Sequence, residues 1–555
     1  MRRAVMLGLL AAALGLAQPV VSAVQNNYSY IPPGVPQYGI AQGSIFVVFG
    51  TGLANTSTGL QSIPLRTTVE GVSAAVTVGG VTRAAILYYV TPSQIAGILP
   101  SNTPNGAGTI VVTNNGRASA PAPITVVQSA FGTLTLDGSG GGPAAVFDAA
   151  NQFLSPTNAT RSGEVIVLYG TGVGPTPGDE TGTQTQTNLT AVPIVVEIGG
   201  KPAQVLYRGR TVFPGLDQIN VVVPAGVGPG CGVSVAVSSG TMVGNFTTIP
   251  VAASGNTCPT EGGDDGLVIT DAEFNRWSAA GQYSTGSVGL TRSTSYSVAD
   301  GAGGSITRSV TRDDTASAGF NRVSGNVGRL FRSTFLVPTA GSCIVSTGFT
   351  NPFPDLVYRS LDAGTPLRVV GPAGERSVPR STNSVGAIGY GLDVGNGTAG
   401  NYLDAGSYSI SGPGGPDIGS FNGTFNVPTE LVWTNRAALE TVTRANGITV
   451  TWTGGEPTTL VTIQGQSVVS QGTRVTGVFF QCWARNTDSQ MAIPPSVLLA
   501  LPPSGTSTPA PGLTLTQRGS LALATVGKGT RIQATGLDYG TLGSQVGVAQ
   551  ATLWK

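Results

Sequence analysis

The sequence predicts an all-β, multidomain fold, in which two β-sandwiches precede a larger β-sandwich region. The 555 residues are too many for a single hydrophobic core. Short apolar runs that end at Gly, Pro or Asn recur along the chain, which is typical of strands joined by tight turns. The stretch VVFGTGLA at residues 47–54 returns as VLYGTGVG at residues 167–174, which indicates a repeated unit.

The composition excludes several classes of function. The chain carries 28 basic and 27 acidic residues, which make up 10% of its length, and it has no basic run. It therefore cannot displace many counterions from a nucleic-acid backbone, and we expect no nucleic-acid partner. The chain has no histidine, which excludes a Ser-His triad, a Cys-His pair and a histidine-ligated zinc site.

The N-terminus predicts a signal peptide over residues 1–23. Arg2 and Arg3 form a basic start, residues 4–17 are apolar, and Val21-Ser22-Ala23 is typical of a cleavage site. The apolar run is short for a membrane anchor, and no later segment has the length of a spanning helix. We therefore expect a secreted or cell-surface protein whose mature chain does not span a membrane.

Four cysteines suit an oxidising compartment and predict structural disulfides: Cys231, Cys258, Cys343 and Cys482. Four cysteines allow three pairings, among which the sequence does not choose. We favour 231–258 and 343–482, because each bond then stays inside one predicted domain. A metal or redox site is disfavoured, since the chain has neither a CxxC motif nor a histidine.

The repeat extends well beyond the two glycine stretches. VTVGG at 76–80 aligns with VEIGG at 196–200, and later strands continue the match after a short insertion. Residues 24–127 and 128–252 are therefore predicted to be two copies of one domain. About seven short strands in about 100 residues are typical of an immunoglobulin-like sandwich.

The paired glycines could also suggest a dinucleotide-binding loop. Such a loop needs GxGxxG between a strand and a helix. Asn55 stands where the first copy would need its third glycine, and neither copy continues with a helical pattern. We interpret Gly50, Gly52, Gly170 and Gly172 as structural glycines at a bulge or tight turn.

Several of these motifs resemble the TIG/IPT immunoglobulin-like family. They are FGTGL, the VxVGG pair, the Gln-Ile step before a proline-ended strand and the closing VxVxxxG strand. The tandem over about residues 24–252 is similar in particular to the uncharacterised Solibacter-type secreted module. The resemblance implies a sandwich fold and extracellular display, and it implies no catalytic residue.

The remainder of the chain divides by composition. Residues 253–266 lack an apolar period and predict a linker, whereas residues 267–503 predict a β-rich domain. A proline-rich break at 504–512 precedes a few closing strands at 513–555. Residues 435–444, NRAALETVTR, have a composition compatible with a helix.

Four aspartates next to glycine-containing turns are candidate calcium ligands: Asp362, Asp393, Asp404 and Asp538. Calcium prefers several oxygen ligands, so a cluster of these residues could hold it. The favoured alternative is that each aspartate caps its own turn. Asp264 and Asp265 with Asp271 are a second possible calcium group. Apart from this calcium alternative, we expect no cofactor.

All five tryptophans lie beyond the tandem repeat, and a tryptophan on a strand is most often a core residue. Trp433, before Thr434-Asn435, is the best candidate for a surface position where it could stack on a sugar ring. For catalysis, the chain offers only a carboxylate pair drawn from Glu375, Glu430, Glu440 and Glu456, and the sequence names no pair.

The sequence therefore favours an exported, non-catalytic adhesion or scaffold protein at the cell surface or in the medium. Its expected partner is an extracellular glycan or protein. Two alternatives stay open: a self-associating extracellular structural subunit, and a polysaccharide-cleaving enzyme.

Overall fold

The computed structural model describes residues 18–259, 269–301, 305–325, 327, 339–347, 356–395, 402–471, 474–510 and 513–555. Strands dominate these ranges, and the helices are few and short. Most of the predicted signal peptide, residues 1–17, lies outside the described residues.

The first unit is a sandwich of two sheets with strand orders β1-β3-β8-β7 and β2-β11-β9-β5-β4. Along β5, alternate residues from Val72 to Val78 are buried between the sheets, as the period of two requires. The strands are β1 (Val20–Asn26), β2 (Ile40–Ala41), β3 (Ile45–Thr51), β4 (Thr68–Val69), β5 (Val72–Val78), β6 (Val81–Ala84), β7 (Ile86–Val90), β8 (Gln94–Ile98), β9 (Gly106–Asn114), β10 (Arg117–Ala118) and β11 (Ala122–Val127).

Strand β1 begins at Val20, inside the predicted signal peptide. It pairs antiparallel with β3 from Val20 opposite Thr51 to Asn26 opposite Phe46. A chain cleaved after Ala23 would keep the part of this pairing that starts at Val24.

The second unit repeats this arrangement. Its ladder runs β12-β15-β19-β18-β17-β20-β22-β13. The strands are β12 (Gly132–Thr133), β13 (Gly142–Pro143), β14 (Val146–Asp148), β15 (Val165–Thr171), β16 (Thr187–Asn188), β17 (Ile194–Ile198), β18 (Lys201–Arg210), β19 (Asp217–Val222), β20 (Gly230–Ser239), β21 (Met242–Val243) and β22 (Thr247–Val251).

The long strand β18 connects the two sheets of the second unit. Its first residues pair with β17 and its later residues pair with β19. In the first unit β6 and β7 divide these roles, since β6 pairs with β5 and β7 pairs with β8. Both units are therefore β-sandwiches of the immunoglobulin-like class, built on the same strand pairings.

The repeated glycines occupy places where a side chain would collide with the backbone. A Cβ atom added to Gly50 would lie 2.0 Å from the carbonyl oxygen of Val20, and one added to Gly170 would lie 2.3 Å from that of Gly132. Gly52 and Gly172 have φ angles of 64° and 104°, which disfavour other residues. The glycines are structural, as the repeat predicts.

The third unit contains a large mixed sheet with the order β25-β37-β36-β41-β43-β23-β24-β30-β29. Smaller sheets of order β28-β27-β31-β32 and β33-β35-β38 accompany it. The strands are β23 (Gln282–Asp300), β24 (Ile306–Ser324), β25 (Cys343–Thr347), β26 (Val357–Ser360), β27 (Leu367–Gly371), β28 (Gly374–Val378), β29 (Arg380–Thr382), β30 (Ile388–Asp393), β31 (Gly406–Gly412), β32 (Phe421–Val427), β33 (Leu431–Trp433), β34 (Thr441–Val442), β35 (Ile448–Gly454), β36 (Leu460–Gln471), β37 (Arg474–Arg485), β38 (Gln490–Ile493), β39 (Thr506–Ala510), β40 (Leu513–Thr516), β41 (Gly519–Val526), β42 (Thr530–Ala534) and β43 (Leu537–Trp554).

The last strands of the chain are central to this sheet. Strand β43 pairs parallel with β23 and antiparallel with β41, so residues 513–555 complete the domain that begins after the linker. Within the predicted break at 504–512, residues Thr506–Ala510 form strand β39, which pairs antiparallel with β40.

Helices differ from the sequence prediction. Residues 435–444 do not form one helix: a 3₁₀ turn at Arg436–Leu439 leads into strand β34, which pairs with β43. A ten-residue helix that the pattern did not predict, α1 (Asp271–Ala280), lies before β23 instead, and a short helix, α2 (Pro495–Leu499), follows β38. Thr270 and Glu273 form a capping box at the start of α1.

Both favoured disulfides are present. Cys343 and Cys482 are direct cross-strand partners in β25 and β37, and Cys231 in β20 is bonded to Cys258 beyond β22. The second bond ties the start of the predicted linker to the second sandwich.

Glu273 predicts an acid-dependent loss of stability. Arg531 and Thr270 donate hydrogen bonds to its carboxylate, and they lower the pKa of Glu273 to about 2. Its contribution is therefore complete above the unfolded-state pKa of 4.5 and is lost as the pH falls towards 2. We expect Glu273→Gln to reduce stability by about 0.5–1 kcal/mol at pH 7 and by clearly less at pH 2, where the carboxyl is largely protonated in the unfolded chain and about half protonated in the folded one. Thermal unfolding from pH 7 to pH 2 measures this, and a difference that does not change with pH would contradict it.

Candidate functional site: the junction between the two sandwiches

The two N-terminal sandwiches are joined by direct hydrogen bonds. The amide of Ile45 in the first unit donates to the Thr171 hydroxyl of the second at 2.8 Å. That hydroxyl donates to the carbonyl of Gly215 at 2.6 Å, and the Asn26 side chain donates to the Thr171 carbonyl at 3.2 Å. These three bonds are buried, so the junction resembles the interior of a domain.

A buried ion pair lies at the centre of this junction. The side chains of Arg210 and Asp217 are 1% and 0% exposed, and Arg210 Nε lies 3.4 Å from Asp217 Oδ1. Arg210 also donates to the carbonyl of Gly43 in the first sandwich at 2.9 Å. One guanidinium therefore connects a carboxylate of the second sandwich to the backbone of the first.

The repeated glycine loop binds this carboxylate. The amides of Gly172 and Val173 donate to Asp217 Oδ2 at 2.7 and 2.8 Å. Burial raises the pKa of the Asp217 carboxyl, while Arg210 and the two amides act in the opposite direction. The loop thus binds a carboxyl group, and that group is a side chain of the protein itself.

In the first sandwich, the amides of the corresponding glycine loop donate to different acceptors. There the amides of Gly50 and Leu53 donate to the carbonyls of Ser93 and Pro92, both at 3.0 Å. Ser93 is the residue that the repeat aligns with Asp217. The charged residue thus belongs to the copy whose loop faces the junction.

A second carboxylate crosses the junction beside the ion pair. Glu180, in a loop of the second sandwich, accepts hydrogen bonds from the amide and the hydroxyl of Ser101 in the first, both at 2.7 Å. The amide of Thr176 donates to the same hydroxyl at 2.9 Å. The loops 100–102 and 175–180 consequently form a groove of about 540 Å³ between the units, with Pro100 and Pro177 among its lining residues.

Exposed apolar side chains lie on neighbouring loops of the two sandwiches. We call Leu60, Ile63, Val212 and Phe213 the junction patch, and each of them is exposed. The loops are tied together, since the Tyr88 hydroxyl donates to the Pro214 carbonyl while the Tyr88 carbonyl accepts from the Gln61 amide. Clustered exposed apolar residues are typical of protein-interaction surfaces.

The second sandwich is also packed against the third unit. The amide of Ser234 donates to the Ser342 hydroxyl at 3.1 Å, and the Thr339 amide donates to the Gly232 carbonyl at 3.0 Å. The Ser496 hydroxyl donates to Glu197, whose carboxyl pKa is raised by burial. Apolar residues of the second sandwich, including Phe246, share one core cluster with three tryptophans of the third unit: Trp433, Trp452 and Trp554.

The prediction that Trp433 stacks on a ligand is wrong. Its side chain is 7% exposed, and its indole N–H donates to Asn435 Oδ1 at 3.0 Å. The other four tryptophans are buried as well: Trp277, Trp452, Trp483 and Trp554. No tryptophan offers a face to a sugar, so the sequence feature that suggested glycan binding is lost.

The four candidate calcium ligands do not form a shared site. The described residues contain no group of three or more acidic, cysteine or histidine side chains suited to a metal ion. Asp362 accepts hydrogen bonds from the Gly364 amide and from Arg380, and Asp393 accepts one from the Gly395 amide. The two bonds from glycine amides are those expected of an aspartate that caps its own turn. Asp404 is exposed, with a carboxylate oxygen 4.0 Å from Arg292, and Asp538 accepts from the Ser284 amide. Asp264 and Asp265 lie outside the described residues.

Most of the candidate catalytic carboxylates are engaged with arginines. Three of the four glutamates form ion pairs, which are Glu375 with Arg368, Glu430 with Arg312 and Glu440 with Arg308. No two of them are brought together as an acid–base pair by a contact in the described part of the chain.

Comparisons with known proteins give no family. No family model and no curated protein matches the chain. The solved structures that it overlaps include the plexin A4 extracellular region (10% identity, TM-score 0.16, 87% of this chain and 30% of that one) and domains 5–6 of the S-layer protein SbsC (17%, 0.14, 42% and 98%). A third is the Bacteroides ovatus SGBP-B in complex with a mixed-linkage heptasaccharide (10%, 0.12, 80% and 91%).

The chain thus spans under a third of the plexin region, and overlaps with TM-scores this low carry no inference about function. Among the described residues, no helix is both long and apolar enough to cross a membrane.

Breaking the ion pair tests its contribution. We expect Arg210→Met to destabilise the tandem by about 3–5 kcal/mol, because Asp217 is left buried without a countercharge. Adding Asp217→Asn, which keeps an oxygen for the two amides, should recover part of the loss. Differential scanning calorimetry measures both. The control is Arg161→Met, which breaks an exposed pair with Glu164 and should cost at most about 1 kcal/mol. Equal losses for Arg210→Met and the control would contradict the assignment.

Proposed function

We propose that this protein is an exported, non-catalytic adhesion or scaffold protein, in which the tandem sandwiches act as a rigid docking platform. The observation that carries the proposal is the Arg210–Asp217 pair bonded to Gly43. The charge pair belongs to the second sandwich, and its guanidinium is bonded to the backbone of the first. Opening the junction would break that bond and expose the buried charges to water, so the pair opposes a hinge motion between the two domains.

The proposal also includes the family type of the two sandwiches. We assign them to the TIG/IPT type, similar to the Solibacter-type secreted module. The equivalent roles of β3 and β15, and of β8 and β19, support this assignment together with the two glycine loops.

Export is supported by the N-terminal pattern and the cysteines. Arg2 and Arg3 precede an apolar run and a small-residue cleavage site, as in secretory signals. All four cysteines are paired in disulfides, and such bonds persist in oxidising compartments. We therefore place the mature protein at the cell surface or in the medium.

The proposed partner is an extracellular protein rather than a glycan. The junction patch supplies exposed apolar area, whereas every tryptophan is buried. The pairing of three candidate glutamates with arginines supports a non-catalytic role.

A second candidate function is a self-associating extracellular structural subunit. The observation that favours it is the exposed segment of β24 from Ile306 to Asp313, which forms an open edge in the described sheet.

Distance measurements between the sandwiches test the platform. Spin labels on Arg117→Cys and Val195→Cys, both exposed, report on the first and second units. We expect one narrow distance distribution in the parent protein and a broader one when Arg210→Met is added. A broad distribution without that substitution would show a flexible tandem and would contradict the proposal.

A glycan-array screen of the full chain, with calcium and then with a chelator, tests the partner class. We expect no binding in either condition, because no tryptophan is exposed and the aspartates form no cluster. Calcium-dependent binding would make the partner a glycan.

A further inference from the structure

Strand β24 contains an eight-residue segment with one unpaired side. From Ile306 to Asp313 every residue is exposed. On its inner side the segment pairs with β23. On its outer side β30 reaches only Thr315–Ala318 and β26 only Asn321–Ser324, and no other described strand continues the pairing.

This edge lacks two of the devices that usually prevent pairing between sheets, a bulge and a proline. The segment has no proline, and its register with β23 runs without a bulge from Asp300 opposite Ile306 to Gln282 opposite Ser324. Edge strands normally rely on bulges, prolines or charges to avoid such contacts. Ile306 and Val310 add exposed apolar side chains on one face of the strand.

Both arginines of the segment form ion pairs with glutamates of the same chain. Arg308 lies 3.2 Å from Glu440, and Arg312 lies 2.9 Å from Glu430. Both pairs direct positive charge towards the protein's own carboxylates. The backbone groups of the outer side belong to a strand that is paired along its whole length with β23.

We propose that this edge pairs antiparallel with the same edge of a second copy, so that the large sheet continues across a two-fold axis. The proposal rests on the second candidate function and names its interface. Strand addition satisfies the free N–H and C=O groups of both copies at once. A net charge of +1 adds little repulsion between copies.

The length of the segment and the positions of its arginines together select the register. A two-fold axis perpendicular to the sheet lies midway between one residue and the same residue of the second copy. Axes at Ser309 and Val310 pair the longest part of the segment, residues 306–312 and 307–313 respectively. An axis at Arg308 sets that residue opposite itself, and an axis at Val310 sets Arg308 opposite Arg312, so both registers oppose like charges. An axis at Ser309 sets Arg308 opposite Val310 and Arg312 opposite Ile306. There the arginine stems cover apolar side chains, so we assign the axis to Ser309.

Cross-linking tests this register. Directly opposite residues of antiparallel strands have Cβ atoms about 4.5–5.5 Å apart, close enough for a disulfide after small adjustments. We expect Ser309→Cys to form a disulfide-linked dimer under mild oxidation at least tenfold faster than Thr311→Cys, the matched control on the same face. Faster cross-linking of Val310→Cys would overturn the register.

Sedimentation velocity tests the interface itself. We expect the parent protein to form dimers as its concentration rises, and we expect Ser309→Lys to weaken dimerisation at least tenfold, since the two lysines would be opposed. Val385→Lys is the control, because it adds the same charge at an exposed turn elsewhere.

The results distinguish self-association in general from the particular interface at β24. A parent protein that is monomeric at every concentration overturns both self-association and the interface. Oligomers that Ser309→Lys does not weaken, without a Ser309→Cys cross-link, overturn the interface and leave self-association standing.

Discussion

The buried Arg210–Asp217 pair is the interaction on which the arrangement of the tandem depends. Removing two charges from water costs several kcal/mol for each ion, so such a pair needs further hydrogen bonds from its surroundings. Here Asp217 accepts from two loop amides, and Arg210 donates to backbone carbonyls on both sides of the junction, those of Gly43 and Gly174. The two copies thus have matching strand arrangements, each around its own core, and they differ in the residues at the junction between them.

The third unit depends on a different constraint, the closure of its sheet by the end of the chain. Strand β43 lies between β41 and β23, although about 240 residues separate it from β23 in sequence. A buried Arg292–Asp314 pair, with Asp314 also accepting from the amides of Tyr402 and Leu403, fixes a loop against this sheet. Pairings of such long range slow folding, because the loop between them must close first at an entropic cost.

Local signals explain which elements could be predicted. The two sandwiches follow from repeated strands and glycines whose roles are set within a few residues. Helix α1 carries a local signal as well, since Thr270 and Glu273 have capping-box spacing, and it could have been predicted from them. The helix expected at 435–444 fails for a non-local reason. Its backbone pairs with β43, and Asn435 accepts the N–H of Trp433 instead of capping a helix.

The sequence by itself determined the fold class, the repeat and the glycine positions, because these depend on periodicity and on backbone angles. It also favoured the correct cysteine pairing through the limits of the domains. Tertiary structure decided the burial of Trp433, the separate roles of the four aspartates and the open edge of β24. Each of these depends on which distant strand packs against a residue, and the chemistry of the residue and its neighbours in sequence does not contain that information.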